Sequence, residues 1–365
     1  MQRFAFALIA FLCASTSTAG VSEPRTDAND QLYYHSHIFA YSETSSIKQI
    51  VVDDMEGPYF DGGEHSFTHN VWELGVTRAG WKLAYLIRYD YSLDYNPDTA
   101  ALVYSDKNDL SIEKNRIYDV DMQLIHTRTN GLKVGYDWQV TERFNFQLDA
   151  TYLETSRLLE GKVTGQFEVA NDDYMGQLDL DYVYSKDELL ERAVENPNGR
   201  GYAIDIAWDW QINSRYRLAG KWTDLFSKIT FNKAPFTTAA ASTDRINFDD
   251  EGKIDVKPVL SGREGFRKHY LRFPRQMNLG AYYQFQPEIE LTAGWYRYGT
   301  IDFASLGLTY ASPQDIALHS RFDFKSDALT LGLITPLLNV AITSDRLVFK
   351  KARTFGLDLA FRVRF

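Results

Sequence analysis

The chain of 365 residues lacks several features that define large classes of protein. Its one cysteine, Cys13, lies in a segment expected to be removed after export, so the mature chain has no disulfide bond and no thiolate metal site. No run approaches the roughly 18 consecutive apolar residues that a membrane-spanning helix needs, and this excludes a helical membrane protein. No sequence repeat of fixed period occurs, so neither a propeller nor a solenoid is indicated.

Signals for nucleotides, nucleic acids and metals are also missing. The sequence has no glycine-rich phosphate-binding loop. Its 49 acidic residues exceed its 39 basic ones, and the resulting charge of −10 argues against a nucleic-acid partner. Four histidines, His35, His37, His65 and His69, have no fixed ligand spacing and are more often surface residues than ligands. No metal and no cofactor is therefore expected.

Aromatic residues, by contrast, are abundant. They make up 15% of the chain, with 23 tyrosines and 23 phenylalanines. Such residues favour β structure, and in membrane barrels they form belts at the level of the lipid head groups.

The first 19 residues predict a secretory signal peptide. Arg3 precedes an apolar run over residues 4–13, and the small residues Ser17, Thr18 and Ala19 stand at the expected cleavage positions. The apolar run is too short to cross a bilayer as a helix. We therefore expect residues 1–19 to be removed during export.

A period of two dominates the chain from Ser66 onward. From Trp81 to Tyr95 the odd positions are almost all apolar or aromatic, whereas the even positions include Lys82, Arg88 and Asp90. The same alternation recurs throughout the rest of the chain. Lipid on one side of a strand and water on the other demand this pattern, so the sequence predicts an all-β, transmembrane, antiparallel up-and-down β-barrel.

The last strand, over residues 353–365, has the same pattern and ends the chain on an aromatic residue. In this respect it resembles the terminal strand of bacterial outer-membrane β-barrels of the porin-like size class. The resemblance implies a location in the outer membrane of a Gram-negative cell, contact with its lipid, and recognition by the barrel-assembly machinery. The residues that match the assembly signal are Phe361, Val363 and Phe365.

The spacing of turns predicts about 16 strands, within a range of 14 to 18. Short turns at 141–143, 213–215, 286–288 and 312–315 are expected to face the periplasm. Long connections at 97–114, 187–199 and 232–267 are expected to face outward. A count of 16 strands, however, would place the connection at 97–114 on the periplasmic side, against its length. Removing a weak turn, at 130 or 159, points to fourteen strands instead.

Two domains are expected after the signal peptide. Residues 65–365 are assigned to the barrel. Residues 20–64 are assigned to an N-terminal extension, either periplasmic or plugging the lumen, because His35, Ser36 and His37 interrupt the alternation and residues 53–63 are rich in turn-forming residues.

The polar face of the predicted strands carries many charges, and these are the candidate functional residues. They could line a water-filled lumen and create an electrostatic field in it, or they could form ion pairs that fill a closed barrel. The lumen-facing charges are Arg88, Asp90, Asp94, Asp119, Asp121, Asp137, Asp149, Asp205, Arg217, Lys221, Arg321, Asp323, Arg362 and Arg364.

Three functions remain open. A channel for small hydrophilic solutes is the first hypothesis. A non-conducting barrel that exports or assembles a polymer or surface structure is the second, with residues 20–64 contacting a periplasmic partner. An outer-membrane hydrolase is the third, but His65 and His69 would lie on one face of a strand and Ser66 on the other, so an enzyme is not expected.

Overall fold

The computed structural model describes residues 30–51, 56–57, 62–170, 173–187, 192–194, 197–243, 246–248, 254–256 and 259–365. The predicted signal peptide lies outside these residues. The strands are β1 Gln31–Ser42, β2 His65–Arg78, β3 Trp81–Tyr95, β4 Ile117–Thr141, β5 Phe144–Ala170, β6 Asp173–Tyr184, β7 Gly199–Gln211, β8 Tyr216–Ser242, β9 Ile246–Phe248, β10 Ile254–Val256, β11 Val259–Leu271, β12 Gln276–Gln286, β13 Ile289–Tyr298, β14 Ile301–Ala311, β15 Ala317–Asp323, β16 Ala328–Ile334, β17 Leu338–Ser344 and β18 Thr354–Arg364.

The sheet closes on itself because the first strand pairs with the last. β1 pairs antiparallel with β18 on one side, from Gln31 opposite Arg364 to Tyr41 opposite Thr354, and with β2 on the other. The result is a closed antiparallel barrel of 14 strands, within the predicted range, with two further strands outside the ring. Closure leaves no unpaired edge, which is what a sheet in lipid requires.

The predicted boundary at residue 65 is wrong, because β1 belongs to the barrel wall. His35 and His37 lie on the inner face of β1, the face on which the other strands also carry their charged residues. His37 Nδ1 lies 2.6 Å from Asp358 Oδ1 on β18. Ser36 faces outward, but it is fully buried. The apparent break in the alternation is therefore one small hydroxyl on the outer face.

The predicted turns at 130 and 159 are also wrong, because β4 and β5 run straight through them. In β5 a bulge at residue 156 shifts the pairing from Thr155 opposite Thr129 to Arg157 opposite Arg128. One extra residue exchanges the two faces of the strand, so the alternation seems to end there. The predicted connection at 187–199 is lost as well, because it only interrupts one wall strand made of β6 and β7. Losing these three places the connection after Tyr95 at the end of the barrel with the long connections, as its length predicts.

The wall is taller on one side than on the other. β6 and β7 both pair with β5 and β8, so they are two segments of one wall strand interrupted between Tyr184 and Gly199. β11 and β12 are likewise successive partners of β8. Much of 232–267, predicted as a loop, is therefore strand. The tall part of the wall consists of β4, β5, β6, β8 and β11.

The two faces of the wall differ as expected for a barrel in lipid. Large apolar side chains are exposed on the outer face, and most buried charged residues lie on the inner face. Near the short turns, Tyr136 packs against both Trp81 and Trp138, with ring centroids 4.9 Å apart in each pair. Such aromatic groups are typical of the interfacial belt at the periplasmic edge. We call this the inner end of the barrel, and the opposite end the outer end.

The helices lie in connections at the outer end. α1 spans Ile47–Val51 and α2 spans Pro97–Lys107, with a short 3-10 helix at Phe349–Lys351. Asn96 caps α2, because its Oδ1 accepts a hydrogen bond of 2.8 Å from the Thr99 N–H, and Pro97 opens its first turn. Among the described residues, no helix is long and apolar enough to cross a bilayer.

The pairing of β1 generates a first prediction. Ile38 pairs with Leu357 on one side and Asn70 on the other, so proline at this position removes a ladder hydrogen bond needed for closure. We expect Ile38→Pro to lower the folded fraction severely, measured by the heat-modifiable mobility of the refolded protein on SDS gels. Ser111→Pro, in the exposed connection after α2, should fold normally. Equal folding of the two variants would show that β1 is dispensable.

Candidate functional site: the lumen of the barrel

The lumen has three levels, of which the innermost is a polar cavity. Its volume is about 320 Å³, and its lining reaches Thr77 and Ile334 beside the short turns of the inner end. Charged side chains from seven strands surround it. The charged residues in this lining are Glu73, Lys82, Lys133, Asp137, Asp149, Asp205, Asp209, Lys221 and Arg362.

The charges beside this cavity are largely paired. Lys133 Nζ donates a hydrogen bond of 2.7 Å to Glu73 Oε2 and lies 3.7 Å from Asp205 Oδ2. Tyr33 OH donates to the other oxygen of Glu73 at 2.6 Å. Pairs of this kind hold buried charges in place and fix the positions of neighbouring strands, because a buried carboxylate without a partner is costly.

The middle level is a network centred on Arg88 of β3. Its Nη1 donates a hydrogen bond of 2.6 Å to Asp224 Oδ2 of β8, and its Nη2 donates one of 3.0 Å to Asp90 Oδ1. Arg88 Nε also bonds Asp90. Arg88 and both carboxylates are at least nine-tenths buried. One guanidinium therefore bridges the lumen from β3 to β8.

The network continues through a histidine. Asp90 Oδ1 lies 2.7 Å from His69 Nδ1, and Gln276 Nε2 lies 3.1 Å from His69 Nε2. Because an amide nitrogen only donates, His69 Nε2 accepts here and Nδ1 carries the proton given to Asp90. Tyr296 OH then donates to Gln276 Oε1 at 3.2 Å. This chain links β2, β3, β12 and β13.

Asp224 reaches the network because β8 bulges inward. Its φ is 57°, in the left-handed region that aspartate tolerates better than most residues. The pairing passes from Ile206 opposite Trp222 to Ile204 opposite Phe226, so β8 advances four residues while β7 advances two. The Asp224 N–H donates a hydrogen bond of 2.8 Å to Asp205 Oδ1, which holds the bulge in place.

The outermost level is apolar and consists of two clusters. We call the first the aromatic cluster; Phe67 and Tyr298 stack within it at a centroid distance of 3.9 Å. Its members are Phe39, Tyr41, Phe67, Tyr296, Tyr298, Ile301 and Phe303. We call the second the aliphatic cluster; its members are Leu86, Leu153, Leu158, Val183, Ala203, Ile229, Phe231, Ala234, Leu271 and Phe273. The clusters meet the network where the Arg88 guanidinium lies 3.7 Å from the centre of the Phe273 ring.

The fourteen predicted lumen charges all lie on the inner faces of their strands, but at different levels. Arg88 and Asp90 form the network. Around the inner cavity and the inner rim lie Asp137, Asp149, Asp205, Arg217, Lys221, Arg362 and Arg364. Arg321 and Asp323 lie on β15 beside the aromatic cluster.

The remaining three predicted charges lie on the outer, water-exposed part of the wall. Asp94 Oδ1 lies 2.7 Å from His65 Nδ1. Asp121 Oδ1 lies 3.2 Å from Lys162 Nζ, and Asp119 accepts a hydrogen bond of 3.0 Å from Gln166. Ion pairs with this exposure contribute little to stability.

The candidate list drawn from the sequence lacked several residues of the lumen, among them Asp224, His69 and Glu73. His69 and Glu73 share the inner face of β2, and the period of two could have placed them there. Asp224 gave no such signal, because its bulge adds two residues to β8 and leaves the alternation on either side in phase.

The histidine and serine residues considered for hydrolysis do not assemble. Both histidines are engaged by aspartates, His65 by Asp94 and His69 by Asp90. Ser66 faces the other side of β2, where its hydroxyl lies 2.9 Å from Tyr95 OH. No nucleophile and base of this segment lie within reach of each other.

The C-terminal residues Phe361, Val363 and Phe365 lie on the outer face of β18, with 44%, 40% and 70% of their surface exposed. Such exposure is compatible with recognition during assembly, which stays a prediction.

Comparison with known proteins adds little to this picture. No protein-family model matches the chain, and no curated protein matches it. Similar solved structures include the toluene transporter TodX of P. putida, with 12% identity, 92% of this chain and 90% of that chain covered, and a TM-score of 0.45. The CymD monoaromatic hydrocarbon channel has 9% identity, covers 92% and 88%, and has a TM-score of 0.42. A Pseudomonas aeruginosa FadL homologue has 10% identity, covers 92% and 90%, and has a TM-score of 0.30.

The class of the protein follows from its own architecture. A closed antiparallel barrel with an apolar exterior and a polar interior satisfies every wall hydrogen bond without water. The chain is an integral β-barrel protein of the outer membrane.

The network generates a second prediction. Arg88→Met leaves the buried carboxylates of Asp90 and Asp224 without their cation, so we expect the free energy of unfolding to fall by about 3–5 kcal/mol. Urea titration of the barrel refolded in lipid would measure it. Arg78→Met is the matched control, since Arg78 is 78% exposed and its pair with Asp30 is worth roughly 0–1 kcal/mol. A loss at Arg88 no larger than at Arg78 would contradict a stabilising role for the network.

Proposed function

We propose that this barrel is a channel for small solutes with an apolar or aromatic body, which enter through the outer end and leave through the polar inner cavity. The observation that carries the proposal is the change of lining along the lumen. The outer level is aromatic and aliphatic, the middle level is an ion-paired network, and the inner level is a polar cavity.

The outer level supports the apolar part of the proposal. Binding sites for small molecules are predominantly hydrophobic and aromatic, with a few polar groups that fix orientation. The aromatic cluster places six aromatic rings on the inner faces of four strands, the neighbouring pairs β1–β2 and β13–β14. These rings are at most 9% exposed, so a solute reaches them only by separating them. An apolar solute is then removed from water, whereas a hydrated sugar or ion gains nothing from such contact.

The middle level supports selective rather than free passage. The Arg88 network joins β3 to β8 across the lumen, so in this conformation a hydrated solute meets ion pairs and not open water. Passage requires those side chains to move together. This favours the apolar solute class over the hydrophilic one expected from the sequence.

The inner level supports release toward the periplasm. Its lining combines nine charged side chains with apolar ones such as Trp208 and Leu279, so an apolar solute is held there less tightly than among the apolar clusters above it. A solute must bind strongly enough to enter the lumen and weakly enough to leave it. A decrease in apolar contact from the outer end to the inner end satisfies both requirements.

Uptake by intact cells tests the proposal. An outer membrane rich in lipopolysaccharide excludes apolar probes, so cells that lack general porins and express the barrel should take up N-phenylnaphthylamine several times faster than cells with empty vector. Nitrocefin, a hydrophilic probe hydrolysed in the periplasm, should enter at the vector rate. Phe67→Gln should reduce the apolar uptake, since it places an amide in the aromatic cluster.

The control is Phe285→Gln, a change of the same kind on the exposed outer face. It should leave both rates unchanged with equal amounts of folded barrel. Nitrocefin entry above the vector rate, with N-phenylnaphthylamine at the vector rate, would instead support a hydrophilic channel. Vector rates for both probes would reject the channel proposal.

A further inference from the structure

Arg321 of β15 is a buried arginine at the boundary between the aromatic cluster and the inner cavity. It lies on the inner face of its strand and is 7% exposed. Gly307 on β14 pairs with it and leaves room for its side chain, since a Cβ there would lie 3.2 Å from Arg321 Cβ. The arginine is therefore accommodated by the wall and projects into the lumen.

The guanidinium of Arg321 is unpaired within the described part of the chain. Its Nε and Nη1 have no hydrogen-bond partner, and Nη2 has only the Thr330 hydroxyl at 3.5 Å. Arg88 and Arg217 differ from it, since Arg88 is bridged by two aspartates and Arg217 lies 3.5 Å from Asp209.

The carboxylates nearest to Arg321 along the wall are engaged elsewhere. Asp358 bonds His37 at 2.6 Å. Asp323 Oδ1 accepts three hydrogen bonds, from the N–H groups of Lys325 and Ser326 and from the Ser326 hydroxyl. An unpaired buried guanidinium is costly, and a carboxylate that accepts two of its N–H groups is its best partner.

A small cavity adjoins this guanidinium. It has a volume of about 20 Å³ and is lined by Arg321 together with Phe39, Tyr296 and Phe303 of the aromatic cluster. A volume of this size holds roughly one water-sized group. Asn278 and Tyr296 line both this cavity and the 320 Å³ inner cavity, so the two adjoin.

We propose that Arg321 anchors a carboxylate-binding site in the lumen, for small solutes that join an aromatic or apolar body to one carboxylate. One carboxylate oxygen occupies the small cavity beside the guanidinium, and the rest of the solute occupies the adjoining inner cavity beside Tyr296. This inference rests on the proposed function, which it narrows to organic acids. Chloride shares the chemistry of a monoanion, and the experiment separates it from a carboxylate.

Calorimetric titration of the refolded full-length barrel with benzoate tests the site, with benzyl alcohol as the neutral probe of the same shape. We expect benzoate to bind wild type, and Arg321→Gln to weaken it tenfold or more, as loss of a charge-assisted hydrogen bond predicts. Benzyl alcohol should bind both proteins equally. Arg321→Lys, which keeps the charge without the planar fork, should recover part of the benzoate affinity.

Arg78→Gln is the control, because it removes the same charge from a side chain that is 78% exposed and is not among the residues that line the two cavities. It should change benzoate affinity less than threefold, and heat-modifiable mobility should show that each variant is folded. Equal benzoate binding by wild type and Arg321→Gln would overturn the inference. So would Arg321-dependent binding of chloride without binding of benzoate.

Failure of this inference is distinguishable from failure of the proposed function. If N-phenylnaphthylamine enters cells through the barrel but benzoate does not bind at Arg321, the channel stands and its narrowing to acids is rejected. If neither probe enters the cells, the channel itself is rejected, whatever the titration shows.

Discussion

The constraint on which the rest of this structure depends is that no backbone N–H or C=O of the wall can be left unpaired in lipid. It forces the sheet to close, and closure is made by β1 and β18, the strands most distant in sequence. Every other feature follows from the ring. Its pleat assigns alternate side chains to lipid and to the lumen, and its circumference brings Arg88 and Asp224 within reach of each other.

Inside the ring the groups that need partners are charged side chains and not backbone groups. Charges that face the lumen are withdrawn from bulk water, and most of them are satisfied by each other. Glu73 with Lys133 joins β2 to β4, and Asp224 with Arg88 joins β8 to β3. These pairs are weak evidence of high stability, since apolar packing could replace them. Their effect is to divide the lumen into levels of different polarity, and this division is the basis of the proposed solute path.

The sequence could predict the features that depend on alternation alone. The outward position of Tyr85, the inward position of Arg88 and the aromatic end of β18 follow from a period of two, and the structure confirms each of these positions. It could not predict the number of strands, because one extra residue at position 156 exchanges the faces of β5 and imitates a turn. Nor could it place Asp224, because a two-residue bulge leaves the pattern unchanged.

The uneven height of the wall has a further consequence. β13 and β14 turn back at Gly299, whereas β8 and β11 continue as a pair to Ser242 and Val259. Anything large that approaches the cell, such as an antibody or a phage tail, therefore meets the ends of β8 and β11 before it meets the lower rim at β13 and β14. The outermost surface and the solute path thus belong to different parts of the chain, and either can vary in sequence without changing the other.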